Sequence, residues 1–184
     1  FVCDAAVDAG VEKMVFASTH RVMGMYEKIN APMIYELGHD ILIDHLSPVR
    51  TDSMYAVSKS FGEDLGRLYA DEGKLKCFVL RICSVRSADA DHPYAYAEYG
   101  VQQNRWTRES NEYLTQVKRL KGLWQSRRDF LQLVDLCIKC DSCNYDIFYG
   151  VSNNTRKWFD IQHAKKILGY KPVDNAETFT KALI

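Results

Sequence analysis

Three short apolar runs, widely spaced, constrain the fold of this chain more than any other feature. They are KMVFAS at 13–18, KCFVLRI at 76–82 and YDIFYG at 145–150. Each has the length of a strand and little polar interruption, which suits a parallel strand covered on both faces. Helical patterns lie between and around them: TDSMYAVSKSFGEDLGRLY at 51–69, RRDFLQLVDLCIKC at 127–140 and WFDIQHAKKILGY at 158–170. Residues 1–13, FVCDAAVDAGVEK, read as the end of another helix with Gly10 as its stop. Ser126 and Asp129 form a capping-box pattern that opens a helix over 127–139. The stretch 19–50 is predicted as a long loop. Strands alternating with helices imply an α/β fold with an open, partial Rossmann-type parallel sheet.

With 184 residues and 47% hydrophobic content, the chain suits one domain with a substantial core. Lys plus Arg equals Asp plus Glu at 24 each, so no net field points to nucleic acid or an anionic membrane. No apolar run approaches the roughly 20 residues of a membrane-spanning helix. Several of the six cysteines fall within strands or helices, which reads as reduced thiols in a cytoplasmic protein. Cys137, Cys140 and Cys143 have metal-site spacing, but a closed zinc or iron–sulfur site needs a fourth ligand and no histidine flanks them. No metal is expected.

The chain opens inside a helix without an initiator methionine, and no G-x-G-x-x-G occurs among its ten glycines. It is therefore read as the C-terminal part of a longer polypeptide, the cofactor-binding half preceding residue 1. On that reading the strand at 13–18 lies at an exposed sheet edge.

Tyr55 and Lys59 stand four apart and share one helical face. A lysine ammonium beside a phenol favours the phenolate, so the pair suits general-base removal of a hydroxyl proton. The spacing alone fits an ordinary surface pair equally well.

Three further segments bear on that choice: VFASTHRVMG at 15–24, YAVSK at 55–59 and LRICS at 80–84. Together they resemble extended short-chain dehydrogenase/reductases, the NAD-dependent epimerase/dehydratase family. YAVSKSFGEDLGRLYAD, FYGVSNNTRKWFD and LGYKPVDNAE are similar to uronate dehydrogenases. LRICSVR, ADHPYAYAEYGV and WQSRRDF look closer to archaeal NAD-dependent glucose-6-phosphate dehydrogenases.

The resemblance implies NAD as cofactor (NADP staying open) and hydride transfer from C1 of a sugar. It implies that Thr19 bonds the substrate oxygen and that Tyr55 is the phenolate base. Lys59 would favour that phenolate and hold the nicotinamide ribose, with Ala17 and Ile82 beside the cofactor. The substrate side would comprise Thr19, His20, Arg21, Ser84 and Arg119. Thr19-His20-Arg21 stands where uronate dehydrogenases have Ser-Asn-His, and Cys83 where they have glycine. Arg119, five residues before Trp124, matches the arginine those enzymes use for the substrate carboxylate. Residues 85–123 form an inserted substrate-side loop region, with Tyr94, Tyr96 and Tyr99 as packing residues. Arg127 and Arg128 open a helix against its macrodipole, either recruited to an anion or solvated. An anionic sugar, glucose 6-phosphate ahead of glucuronate, is the expected substrate, and a homo-oligomer the expected assembly. The alternatives are a nucleotide-sugar epimerase or dehydratase, and a non-catalytic NAD-sensing scaffold of the same fold.

Overall fold

The computed structural model describes residues 2–180. Its elements run α1 (Val2–Asp8), β1 (Lys13–Thr19), α2 (Gly24–Asn30), α3 (Met54–Asp71), β2 (Lys76–Ile82), α4 (Ala95–Gln102), α5 (Asn111–Leu123), α6 (Arg127–Lys139), β3 (Tyr145–Gly150) and α7 (Gln162–Leu168). The three strands form one parallel sheet in the order β1-β2-β3. All three lie where the apolar runs place them, and β1 forms an edge, as expected. In register, Thr19 lies opposite Ile82, and Ile82 opposite Gly150, so the three carboxyl ends are level. Open α/β sheets bind ligands beyond these ends.

The main core gathers Val22, Phe78, Leu80, Leu133, Phe148 and Trp158 around the sheet. Helix α3 packs unusually close to the strands. A Cβ at Gly62 would lie 2.4 Å from Phe16 Cζ, and one at Gly66 would lie 2.5 Å from Cys77 Sγ. Both contacts are shorter than real side chains tolerate, so glycine sets the helix-to-sheet spacing.

Residues 19–50 correct the expected long loop. They contain a 3-10 turn at His20–Met23, helix α2 and a second 3-10 turn at Met33–Tyr35. Local pattern gave no sign of these short elements, because tertiary burial sustains them. Val22, Met23, Ile34 and Tyr35 are core residues, and Arg50 accepts the Met25 N–H and donates to the Val22 carbonyl. A helix of seven residues is marginal without such packing.

Residues 85–123 are also more ordered than a loop. Helices α4 and α5 enclose a small core of Tyr94, Ala97, Tyr113 and Val117. Tyr94 is buried and Tyr96 stands against Trp106, whereas Tyr99 is exposed beneath Arg105. Ser126 does cap α6, accepting the Asp129 N–H at 3.1 Å. The reciprocal half of the capping box is replaced. Ser126 N–H goes to Ser152 Oγ, while the Asp129 carboxylate takes Ser152 Oγ–H and the Val173 and Asp174 amides. At the same helix end Asp91 accepts the Arg127 N–H and Arg128 pairs with Asp174. Cys137 belongs to the main core, and all six cysteines are free thiols.

Candidate active site

Helix α3 begins where Ser53 Oγ accepts the Ala56 N–H at 3.3 Å, a side-chain cap that fixes the first turn. Tyr55 and Lys59 follow on one face. Lys59 Nζ donates to the Ala17 carbonyl at 2.7 Å, and lies 5.9 Å from the Tyr55 ring centroid and 5.2 Å from that of Phe16. The ammonium is thus fixed to the end of β1, with two of its three donors free of protein partners among the described residues. Tyr55 is 53% exposed, and its hydroxyl has no protein partner among the described residues. A half-open phenol beside a fixed ammonium suits proton transfer with a bound molecule.

Thr19 closes β1. It is buried, and its Oγ1 accepts the Arg21 N–H at 3.3 Å, so its own O–H stays available as a donor. His20 comes next. Its Nδ1 donates to the Ile82 carbonyl at 3.1 Å, which ties the ends of β1 and β2 together. Burial holds the imidazole well below its usual range, at about 4, against the attraction of Glu27. The ring is therefore neutral at pH 7, and its buried Nε2 is an acceptor with no protein partner among the described residues. Ser84 is locked by its backbone. Its N–H donates to Leu123 and its carbonyl accepts from Gln125. Burial pushes the neighbouring Cys83 thiol well above the ordinary thiol range.

Two expected arginines have internal carboxylates. Arg21 Nε donates to Asp52 at 3.1 Å on the surface. Arg119 forms a two-point fork on Glu27, through Nε to Oε1 and through Nη2 to Oε2, and Tyr35 OH adds a third bond to that carboxylate. Burial works against the Glu27 charge, but Arg119 and Tyr35 outweigh it and hold the carboxyl below its usual range.

Below the site lies a buried polar network outside the expected set. Arg81 Nη2 donates to Glu63 Oε2 at 2.7 Å, Ser18 Oγ donates to Glu63 Oε1, and Arg81 Nη1 reaches Tyr149 OH at 3.2 Å. One residue from each of β1, α3, β2 and β3 takes part. Glu63 carried a readable signal, since it continues the Tyr55–Lys59 face by one more step of four. Arg86, two residues beyond Ser84, also lies outside the expected set, because nothing in its local sequence marks its Nε as shielded from water.

The structure therefore assembles Tyr55, Lys59 and Ala17, and separately Thr19, His20 and Ile82, at the level carboxyl ends of β1 and β2. A cavity of about 660 Å³ lies elsewhere, lined by Ser87, Asp89, His92, Glu98, Tyr99 and Arg108. None of the expected site residues lines it. The strand ends, where the chemistry-bearing residues converge, are the better candidate.

Known proteins resemble this chain over nearly its whole length. The chain is 36% identical over 178 residues to a Haloferax volcanii protein named NAD-dependent glucose-6-phosphate dehydrogenase, covering 96% of this chain and 59% of that one. An Agrobacterium fabrum uronate dehydrogenase is 31% identical over 178 residues, covering 97% and 53% respectively. The chain thus spans little more than half the length of these curated relatives. Among solved structures, uronate dehydrogenase from Agrobacterium tumefaciens superposes with a TM-score of 0.65 at 28% identity, covering 96% of this chain and 52% of that one. Residues 2–138 match the family model described as NAD dependent epimerase/dehydratase. With the parallel sheet and the Tyr55–Lys59 pair at its carboxyl end, that match shows that the chain belongs to the NAD dependent epimerase/dehydratase family.

Proposed function

We propose that this protein is an NAD-dependent dehydrogenase acting at C1 of an anionic sugar. The observation that carries the proposal is Lys59, held 2.7 Å from the Ala17 carbonyl with Tyr55 on the same helical face. Tyr55, as phenolate, takes the proton from the C1 hydroxyl. Thr19 donates its O–H to the same oxygen and holds it in line with the base. The neutral His20 accepts a neighbouring sugar hydroxyl through Nε2. Lys59 fits a nicotinamide ribose, because the Ala17 carbonyl takes one of its protons and leaves two for ribose hydroxyls. Ala17 and Ile82 flank that place at the strand ends. Bound NAD supplies the hydride acceptor, while the protein supplies position and charge. Relatives named for glucose 6-phosphate and for uronate support an anionic sugar.

The decisive assay is NADH formation by the whole protein with glucose 6-phosphate, glucuronate and glucose. NADH formation with an anionic sugar, at a rate well above that with glucose, supports the proposal. Sugar conversion without net NADH would instead assign the protein to the hydride-returning epimerases and dehydratases.

Two further readings accompany this one. Met54, Val57, Phe61 and Leu68 form an exposed apolar stripe along α3, and such a stripe suits pairing with a second copy of the protein. No helix among the described residues is long and apolar enough to cross a membrane. With its thiols free, the protein suits the cytoplasm, where nicotinamide cofactors are supplied.

A further inference from the structure

Four arginines gather around the carboxyl end of the sheet and the helices beside it, and their partners differ. Arg81 has Glu63, Arg21 has Asp52 and Arg119 has Glu27. Arg86 has neither a carboxylate nor a hydrogen-bond partner among the described residues, and its Nε is buried and unsatisfied. Its guanidinium lies 5.5 Å from the Tyr96 ring centroid. That contact steadies the plane of the side chain, but it satisfies none of the five N–H donors.

The surroundings make this arrangement costly. Burial lowers the Arg86 proton affinity, and the positive charge of nearby Arg119 lowers it further. A half-buried guanidinium with its Nε shielded from water and no counter-charge is unfavourable unless an anion completes it. Arg119 is a poorer reader of a ligand anion, because Nε and Nη2 of its fork already hold Glu27. Arg86 keeps its whole fork, two residues past Ser84, on the segment that leaves β2.

We infer that Arg86 is the specificity-determining residue that binds the substrate's oxyanion, phosphate or carboxylate, through its guanidinium fork, with Tyr96 as its stacking platform. This inference deepens the proposed function and rests on its reading of a sugar site at these strand ends. The anion completes the missing counter-charge, and Arg119 acts from behind by holding Glu27 and α2 in place.

The test uses the whole protein as wild type, Arg86→Met, Arg86→Lys and Arg119→Met. Titration calorimetry with inorganic phosphate, glucose 6-phosphate and glucuronate reads binding directly, and NADH formation reads turnover. Arg86→Met should weaken the preferred anion by at least about tenfold, as expected for loss of charge-assisted hydrogen bonds. Arg86→Lys should recover only part of that loss, since lysine lacks the fork. The melting temperature of Arg86→Met should stay level or rise, because an unpaired, half-buried charge is removed. A purely structural Arg86 would lower it instead. The stronger ligand of the two sugars names the oxyanion as phosphate or carboxylate. Unchanged anion affinity in Arg86→Met overturns the inference, as does wild type that binds none of the three anions. Arg86-dependent anion binding without NADH from any sugar would sustain the role of Arg86 and sink the dehydrogenase reading. Normal NADH formation by Arg86→Met at unchanged KM would do the reverse.

Discussion

Glu63 and Arg81 meet in a fork, with Arg81 Nη2 2.7 Å from Oε2 and Nε 3.1 Å from Oε1, both side chains almost wholly buried. Glu63 lies one helical step beyond Lys59, which lies one step beyond Tyr55. The pair therefore fixes the face of α3 that carries the site onto β2. Replacing one partner strands the other as an uncompensated buried charge. Glu63→Gln should cost about 3–5 kcal/mol of unfolding free energy, read by chemical denaturation. A loss below about 1 kcal/mol, the scale of a surface pair, would show that the network does not hold the helix.

Tyr55→Phe keeps the ring and removes the base. Turnover of an anionic sugar should fall at least about a hundredfold, the low end for loss of a general base. Lys59→Met should slow turnover and also weaken NAD binding, measured by the quenching of protein fluorescence. A Tyr55→Phe protein of near-normal rate would return the pair to ordinary surface chemistry.

His20 gives the fold an acid-sensitive component. Its folded-state value of about 4 lies below the usual 6.5, so the unfolded chain binds the extra proton between those limits. Stability is thus fully present above about pH 6.5 and declines as pH falls toward 4, by up to about 3 kcal/mol. Burial is the largest influence and Arg119 and Arg21 add to it, so together they outweigh Glu27 and the Ile82 carbonyl, which favour protonation of the ring. Denaturation midpoints taken across this window should drop for wild type and flatten for His20→Asn. Parallel slopes for the two proteins would remove His20 as the cause.

The apolar stripe on α3 predicts self-association. Phe61 is 69% exposed at the middle of that stripe, and Phe61→Glu places a charge in any interface built there. Wild type should sediment as a dimer at micromolar concentration and Phe61→Glu as a monomer of unchanged melting temperature. A wild-type monomer at that concentration would leave the stripe without this role.

Much of this molecule was decided by local sequence. Strand positions followed from apolar run length, and the shared face of Tyr55 and Lys59 followed from a spacing of four. Both depend only on residues near in sequence, because helix and strand periods are local geometry. The short elements within 19–50 were not legible, since their stability comes from Val22, Ile34 and Tyr35 entering a core built by distant residues. Charge pairing escaped the sequence for the same reason. Arg119 and Glu27 are 92 residues apart, and no pattern along the chain marks either as the other's partner. Only the tertiary structure decided that Arg119 is already held, that His20 is buried and neutral, and that Arg86 has no counter-charge among the described residues. Burial and long-range approach set the electrostatics of each group, and neither exists until the sheet and helices have packed.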